Sequence, residues 1–285
     1  MLGGKFDFGV MPILCLMVVV SLGPKGTFSE KAAREWSDKK VRLESSSEDV
    51  VKAVEEGETG VLPFENSLEG TVLRTVDLLA AHDILIKGEV VIEIDHCLLG
   101  YSGSEIREVV SHSQALRQCR EYLTHELNNI DVRAVSSTAK AVELTKSEEE
   151  LAAVAPREAA NEYGLDILDE GIQDVKDNLT RFLVLGLEDC PPSGNDKTTL
   201  LFYVKDRPGS LYDSLGVFAE RDINLTKLES RPSREKLGDY FFILDFEGHR
   251  KDKKFKKALV ELKNHVRDLK ILGSYPKATN PQNKK

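Results

Sequence analysis

The chain has 285 residues, which is enough for about two domains. Hydrophobic residues make up 41% and charged residues 31%, a composition that excludes a disordered or collagen-like chain. The net charge of −9 argues against a general nucleic-acid binder. Residues 197–285 carry 20 Lys and Arg against 12 Asp and Glu, whereas residues 1–196 carry 19 against 36. This asymmetry predicts two domains with different roles.

The N-terminal apolar stretch, Val10 to Val20, is too short to span a bilayer and leads into a tight turn that starts at Gly23. We interpret its end as a buried strand, with a secretory signal as the alternative, and residues 1–16 as an extension outside the fold. The four cysteines form no CxxC pair and no Cys/His cluster at metal-ligand spacing. We therefore expect a reduced, cytoplasmic chain with no cofactor and no metal.

The next part of the chain alternates short β-branched runs with helical patterns, which predicts an α/β domain with largely parallel strands. The predicted strands are Val18–Leu22, Gly60–Pro63, Ile84–Ile94, Val109–Ser111, Val132–Val135, Ala152–Ala155 and Arg181–Leu187. Capping-box spacing of Thr27 and Glu30 predicts the first helix, and a serine run at 45–47 precedes the second. A 3.6-residue period predicts a third helix over Val72–Ala81.

A segment rich in turn-forming residues, 189–197, predicts a linker. Beyond it we predict strands at Thr198–Lys205, Ile223–Ser230, Tyr240–Phe246 and Val266–Leu272, and helices at Ser210–Arg221 and Lys253–His265. The order βαββαβ is that of a ferredoxin-like domain, which we place at residues 198–275. The polar tail, 276–285, is predicted to be disordered.

Four segments gather polar groups where a predicted strand meets a helix or another strand. They are Gly23–Ser29, Leu62–Val72, Ser111–Cys119 and Asn178–Phe182. Backbone N–H groups at a helix start attract anions, and open α/β sheets bind ligands at the carboxyl ends of their strands. For each segment alone, a cap or turn without a ligand is a comparable explanation. His112 has no partner at catalytic spacing, and no GxSxG motif indicates a hydrolase.

In this order and spacing the four segments resemble prephenate dehydratase, and Arg207–Tyr212 with Glu229–Pro232 resemble its C-terminal ACT regulatory domain. The resemblance covers about residues 18–275. It implies a two-lobe catalytic domain at 17–188, folded like a type II periplasmic binding protein, with the active site between the lobes. Lobe one is expected at about 17–94 plus 177–188 and lobe two at about 95–176, followed by the ferredoxin-like ACT domain.

The implied reaction is the decarboxylating dehydration of prephenate to phenylpyruvate in phenylalanine biosynthesis, and Thr180 is expected to hydrogen-bond the departing hydroxyl. The implied catalytic residues are Thr180, Asn66, Glu65, Ser111 and Gln118, and the implied substrate-binding residues are Thr27, Ser29, Ser67, Arg181 and Phe182. Two positions depart from the family pattern. Ser113 stands where the family usually has Pro, and Ser136 stands where a Glu often precedes the Ser-Thr pair, which puts a catalytic carboxylate in lobe two in doubt.

The ACT resemblance implies allosteric inhibition by phenylalanine bound between paired ACT domains, and therefore a dimer or tetramer. The implied effector residues are Gly209, Ser210, Leu211, Asn224, Leu225, Glu229, Ser230 and Arg231. Arogenate is the alternative substrate, and a solute-binding or amino-acid-sensing protein without catalysis is the alternative class. We expect no membrane or nucleic-acid partner. We also expect activity to survive removal of residues 197–285, because the catalytic motifs all precede them.

Overall fold

The computed structural model describes residues 18–233 and 240–279. The expected N-terminal extension, residues 10–17 of the alternative secretory signal and the last six residues of the tail lie outside this described part. No helix within it is long and apolar enough to cross a membrane.

The described chain forms strands and helices in alternation. The strands are β1 (Val19–Leu22), β2 (Val41–Glu44), β3 (Thr59–Asn66), β4 (Gly70–Thr71), β5 (Leu85–Glu93), β6 (Cys97–Gly100), β7 (Glu108–His112), β8 (Asp131–Val135), β9 (Leu151–Ala155), β10 (Asp166–Glu170), β11 (Leu179–Gly186), β12 (Asp196–Val204), β13 (Leu225–Pro232), β14 (Tyr240–Glu247) and β15 (Val266–Pro276). The helices are α1 (Phe28–Trp36), α2 (Ser47–Glu55), α3 (Leu73–Ala81), α4 (Ser113–Gln118), α5 (Arg120–His125), α6 (Thr138–Ser147), α7 (Arg157–Tyr163), α8 (Ser210–Ala219) and α9 (Lys253–His265).

These strands form three sheets. The first has the order β2-β1-β3-β11-β5, with β4 paired to β3, and the second has the order β10-β6-β9-β7-β8. The third has the order β13-β14-β12-β15. Each of the first two sheets is the centre of one lobe, and each has its own buried apolar clusters. The third sheet, with α8 and α9 on one face, has the predicted βαββαβ order.

The chain passes between the two lobes twice, from β5 to β6 and from β10 to β11. The two crossing segments are hydrogen-bonded to each other at the centre of the molecule. His96 N donates to Gln173 Oε1 at 2.9 Å, Ile172 N donates to His96 O at 3.1 Å, and Gln173 Nε2 donates to Asp95 Oδ1 at 2.8 Å. This two-lobe arrangement, followed by a ferredoxin-like domain, confirms the predicted fold class.

Several local predictions were incomplete. The sequence patterns did not reveal β2, β4, β6 and β10, which are short or lie where apolar residues do not alternate clearly. Both catalytic sheets are mixed rather than largely parallel, because β11 pairs antiparallel with β3 and β5, and β6 pairs antiparallel with β9 and β10. The first two helices begin as predicted, with the Thr27 and Ser46 side chains accepting from the backbone N–H groups of Glu30 and Asp49.

The third sheet shares a core with lobe one. Leu62 and Leu183 of lobe one belong to the same buried cluster as Phe241, Ile243 and other side chains of the third sheet. The backbones approach closely, since a Cβ added at Gly273 on β15 would lie 2.2 Å from the carbonyl oxygen of Ile86 on β5. Removal of residues 197–285 would expose this cluster to water. We therefore expect such a truncated chain to lose stability, while its residual activity stays a prediction.

Candidate active site

The pairing of β3 with β11 sets which side chains face the space between the lobes. The register pairs Thr180 with Asn66, Arg181 with Glu65 and Phe182 with Pro63, and a β-bulge leaves Phe64 as the extra residue on β3. A bulge changes the alternation of a strand and redirects its side chains. As a result Pro63 and Asn66 face the interlobe cleft, although they are three positions apart.

The cleft contains a cavity of about 200 Å³ lined by residues of both lobes. Its lining residues are Phe28, Ser29, Pro63, Asn66, Ile94, His96, His112, Gln114, Ala115, Gln118, Thr138, Thr180 and Phe182. Among these there is no Asp, Glu, Lys or Arg. The polar atoms that face a ligand here are therefore hydroxyls, carboxamides and imidazoles.

Thr180 and Asn66 are hydrogen-bonded neighbours in the cleft. Asn66 Nδ2 donates to Thr180 Oγ1 at 2.8 Å, and both residues are 8% exposed. The threonine oxygen is thus an acceptor within the protein, which leaves its own O–H free to donate to a ligand. The Asn66 Oδ1 atom accepts from Leu68 N and Glu69 N at 3.0 Å, so the orientation of the carboxamide is fixed.

A second asparagine, Asn178, helps to fix the position of the Asn66–Thr180 pair. Asn178 is fully buried, and its Oδ1 atom accepts from Asn66 Nδ2 at 2.7 Å. Ser67 closes the same turn, because its hydroxyl oxygen accepts from Leu179 N at 3.0 Å. Asn66 therefore acts on the cleft through Thr180, and its carboxamide has little remaining capacity for a direct contact with substrate.

Lobe two contributes a histidine, a glutamine and two helix starts. His96 is 3% exposed, and its Nε2 atom lies 2.9 Å from Gln118 Oε1. Burial lowers the pKa of His96, while the hydrogen bond to Gln118 opposes this shift. His112 precedes α4 and accepts from Gln114 N through its Nδ1 atom at 3.3 Å. Thr138, the first residue of α6, follows the N-cap Ser137.

Five of the predicted site residues lie together in this cleft. They are Ser29, Asn66, Gln118, Thr180 and Phe182. Thr27 caps α1 and lines a neighbouring depression between α1 and α7, and Ser67 lies in the turn after β3. Their roles toward a substrate remain predictions.

Ser111 does not line the described cavity, and its expected catalytic contact stays a prediction. Its side chain is fully buried, and its hydroxyl donates to Val154 O at 2.6 Å. The bond joins β7 to the neighbouring strand β9. Ser111 therefore stabilises the sheet whose carboxyl end carries His112 and α4.

Glu65 and Arg181 face the third sheet and do not line the described cavity, and their expected roles toward a substrate stay predictions. Arg181 donates to Asp245 Oδ2 at 2.6 Å and to the Tyr275 hydroxyl at 2.7 Å. Glu65 accepts from Lys227 Nζ at 2.8 Å. The physical reason is the alternation of side chains along a strand, which puts Arg181 on the opposite face from Thr180.

Arg181 belongs to a group of charged residues that we call the interdomain ion cluster, consisting of Arg181, Glu89, Lys197 and Asp245. Arg181 Nε lies 2.6 Å from Glu89 Oε2, and Lys197 Nζ donates to the same carboxylate at 2.9 and 3.0 Å. The side chains of Glu89 and Asp245 are 2% and 0% exposed. Two cations thus neutralise two buried carboxylates between lobe one and the third sheet.

The predicted effector residues fall into two groups. Gly209, with φ +82°, Ser210 and Leu211 start α8, while Asn224, Leu225 and the exposed Ser230 lie at or on β13, an edge strand. Glu229 contacts Thr71 of lobe one, and Arg231 forms an ion pair with Asp77 at 3.1 Å. Two residues of the effector motif therefore contact the catalytic part of the same chain.

Four polar groups around the cleft had no role assigned from the sequence, although all but His96 lie in motifs singled out there: His96, Gln114, Thr138 and Asn178. Sequence reasoning had also set His112 aside. The available signal was their position, because each follows or precedes a strand at the edge where ligands bind. His96 lacked a partner in the local sequence, since Gln118 comes from another segment of the fold.

Comparison with protein families agrees with this geometry. A family model described as prephenate dehydratase matches residues 19–190, and one described as ACT domain matches residues 198–264. The bifunctional chorismate mutase/prephenate dehydratase of Aquifex aeolicus is 47% identical over 91% of this chain and 74% of that protein. The prephenate dehydratase of Methanocaldococcus jannaschii is 44% identical over 89% of this chain and 96% of its own length.

A solved structure gives the same result. The prephenate dehydratase of Arthrobacter aurescens, crystallised in complex with L-Phe, superposes with a TM-score of 0.82 at 33% identity, covering 91% of this chain and 90% of that chain. The resemblance noted from the motifs is thus confirmed. The chain belongs to the prephenate dehydratase family and carries an ACT domain after its catalytic domain.

Proposed function

We propose that the protein catalyses the decarboxylating dehydration of prephenate to phenylpyruvate, a step of L-phenylalanine biosynthesis, in the cleft between its lobes. The observation that carries this proposal is the Thr180 hydroxyl, which faces a cavity without charged side chains while Asn66 Nδ2 occupies its oxygen. A fixed O–H donor is what the departure of a ring hydroxyl requires.

The reaction consumes one proton, because prephenate dianion and a proton yield phenylpyruvate anion, carbon dioxide and water. The ring C–COO⁻ bond breaks, its electron pair enters the ring, and the C–OH bond breaks at the opposite ring carbon. Thr180 donates a hydrogen bond to the leaving oxygen as negative charge develops there. Donation from Asn66 to Thr180 Oγ1 polarises the Thr180 O–H bond and strengthens it as a donor.

Substrate binding rests on local neutral donors rather than on long-range attraction. The excess of acidic residues in residues 1–196 repels a dianion, so the cleft needs fixed donors at short range. Ser29, Gln118, Gln114 and Thr138 line the cavity and carry N–H or O–H groups. Closure of the lobes around the substrate excludes water and strengthens each of these contacts.

Regulation by phenylalanine is the second part of the proposal. The Arthrobacter aurescens relative was crystallised with L-Phe, and this chain carries an ACT domain at residues 198–264. Its β13 is an edge strand with exposed Thr226, Leu228 and Ser230, a surface suited to pairing with a second copy. We propose that phenylalanine binds near Gly209 and Asn224 in a dimer or tetramer and lowers activity. A cytoplasmic location stays a prediction.

The test is turnover by the purified full chain. Incubation with prephenate should produce phenylpyruvate, detected by its absorbance in alkali, and added phenylalanine should reduce the rate. Arogenate is tested in parallel by chromatographic detection of phenylalanine as product. Faster turnover of arogenate than of prephenate would mean that arogenate is the substrate. Binding of prephenate in calorimetry without turnover would instead indicate a solute-binding protein.

A further inference from the structure

The crossover from β5 to β6 contains His96, a histidine to which the proposed reaction assigns no role. We propose that His96 is a positioning residue that holds the Gln118 carboxamide with its N–H groups toward the cleft, as donors to an anionic group of the substrate. This inference rests on the proposed function and assigns His96 a role through Gln118, not a direct contact with the reacting atoms.

The geometry of the pair supports this role. His96 Nε2 lies 2.9 Å from Gln118 Oε1, so the imidazole donates and the carboxamide oxygen accepts. The Gln118 Nε2 atom is buried and has no hydrogen-bond partner within the described residues. A buried unpaired donor costs free energy, which a bound anion recovers. The carboxamide is thus oriented with its unused N–H groups available to a ligand in the cavity that Gln118 lines.

The surroundings of His96 hold the imidazole in place and keep it neutral. Its backbone N–H and C=O bond to Gln173 Oε1 and Ile172 N of the returning crossover, and Phe28 packs edge-on against its ring at a centroid distance of 5.8 Å. Its Nδ1 atom is buried and has no hydrogen-bond partner in the part of the chain that the structure describes. A proton there would be an unpaired buried charge, so the neutral form with the proton on Nε2 fits the site.

Backbone hydrogen bonds also connect the His96–Gln118 pair to the segments that join the two lobes. His96 lies on the crossover from lobe one to lobe two, and Gln118 ends α4 of lobe two, where its own carbonyl accepts from Asp174 N at 2.7 Å. Both crossovers therefore contact the pair. The direction of the Gln118 donor is thus set next to the two crossovers that connect the lobes.

The experiment is a double-mutant cycle between His96 and Gln118 in the full chain. His96→Phe keeps the ring and its packing on Phe28 but removes the donor, and we expect kcat/KM for prephenate to fall about tenfold or more. His96→Gln carries an amide N–H near the position of Nε2, and it should restore most of this loss. His125→Phe, at an exposed histidine of α5, is the matched control and should leave kcat/KM unchanged.

The coupling between the two positions decides the proposal. In a Gln118→Ala background, His96→Phe should lower kcat/KM by less than about twofold, since the group it positions is already absent. Fully additive losses would overturn the inference, because they would mean that His96 acts independently of Gln118. Failure of His96→Gln to recover activity, in a variant with wild-type thermal stability, would also overturn it.

The same double-mutant cycle is also measured on ligand binding, so that a failure of the inference can be distinguished from a failure of the proposed function. Calorimetry with phenylpyruvate, the anionic product, should show weaker binding for His96→Phe and the same loss of coupling in the Gln118→Ala background. A wild-type chain without turnover would refute the proposed function alone. Additive effects on binding would refute the inference, whatever the turnover.

Discussion

The interlobe cleft and the interdomain interface lie on opposite faces of the same two strands, β3 and β11, and they differ in charge. The cleft side presents Thr180, Asn66 and Phe182, and no charged side chain lines its described cavity. The interface side presents Arg181 within a cluster of two cations and two buried carboxylates. One strand therefore supplies neutral donors to a ligand and charged contacts to the ACT domain.

This difference follows from the cost of burying charge. An ion buried between two domains is stable only when a counter-ion accompanies it permanently, as Asp245 and Glu89 accompany Arg181. The cleft is empty between turnovers, so a fixed cation there would lack its partner for part of the time. Neutral donors avoid that cost and still stabilise an anion when water is excluded.

The two faces are also neighbours along the chain. Thr180 and Arg181 are consecutive residues of β11, and Glu65 and Asn66 are consecutive residues of β3. Arg181, which contacts the ACT sheet, is therefore the direct chain neighbour of Thr180, which faces the cleft. The following predictions test whether the interface determines stability and the cleft determines turnover.

The largest expected effect is on stability at the interface. Asp245→Ala removes the acceptor of Arg181 Nη1 and of Thr199 Oγ1, and leaves the cluster with an excess of positive charge. The free energy of unfolding should fall by about 3–5 kcal/mol. Urea denaturation measures it, with Asp268→Ala on the exposed side of β15 as the control. Equal losses for both variants would contradict the account of the cluster.

The second prediction concerns turnover in the cleft. Thr180→Val keeps the shape of the side chain without the hydroxyl, and kcat should fall roughly 100-fold or more because the donor to the leaving oxygen is lost. Steady-state assays measure it, and Thr124→Val, at an exposed helical position, serves as control. A folded Thr180→Val enzyme with near wild-type kcat would mean that Thr180 has only a structural role in β11.

The third prediction separates positioning from substrate contact at Asn66. Asn66→Asp keeps the acceptor for Leu68 N and Glu69 N but replaces the donor to Thr180 by an anionic oxygen. We expect kcat to fall about 10- to 100-fold, together with a lower melting temperature, because Asn178 Oδ1 also loses its donor. Asn161→Asp, on the exposed side of α7, should change neither quantity.

The smallest expected effect is a pH dependence of stability at His96. Burial lowers the pKa of His96 in the folded chain, so the unfolded chain binds a proton first as the pH falls. The stability associated with neutral His96 is present above the unfolded pKa and is lost as the pH falls through it towards the folded pKa. Denaturation at pH 7 and pH 5 should show a smaller pH difference for His96→Phe than for the wild-type chain. An identical difference would mean that His96 does not titrate on unfolding.

Much of this organisation could be predicted from the sequence. Helix starts were predictable because Thr27 and Ser46 cap them through local hydrogen bonds, and the ACT domain was predictable because its apolar runs are long and regular. The cleft residues Thr180, Asn66 and Gln118 were predicted from the family resemblance of the motifs that contain them. The capping and periodicity signals are local, since each is read within one segment.

The rest depends on contacts that no local pattern encodes. Strict alternation would place Phe64 and Asn66 on the same face of β3, and only the bulge separates them. Alternation correctly sets Arg181 opposite Thr180, but the sequence does not say that an ACT sheet covers that face. His96 likewise has no local partner, since Gln118 lies 22 positions away.

Gly273 on β15 shows how closely the two domains are fitted. A single added methyl group would collide with the carbonyl oxygen and nitrogen of Ile86, at 2.2 and 2.9 Å. These Ile86 atoms belong to the backbone and cannot rotate away as a flexible side chain can. Relief of the collision therefore requires β15 and β5 to move apart. The absence of a side chain at position 273 therefore sets the spacing between lobe one and the ACT domain, and Gly273→Ala is the smallest substitution expected to push them apart.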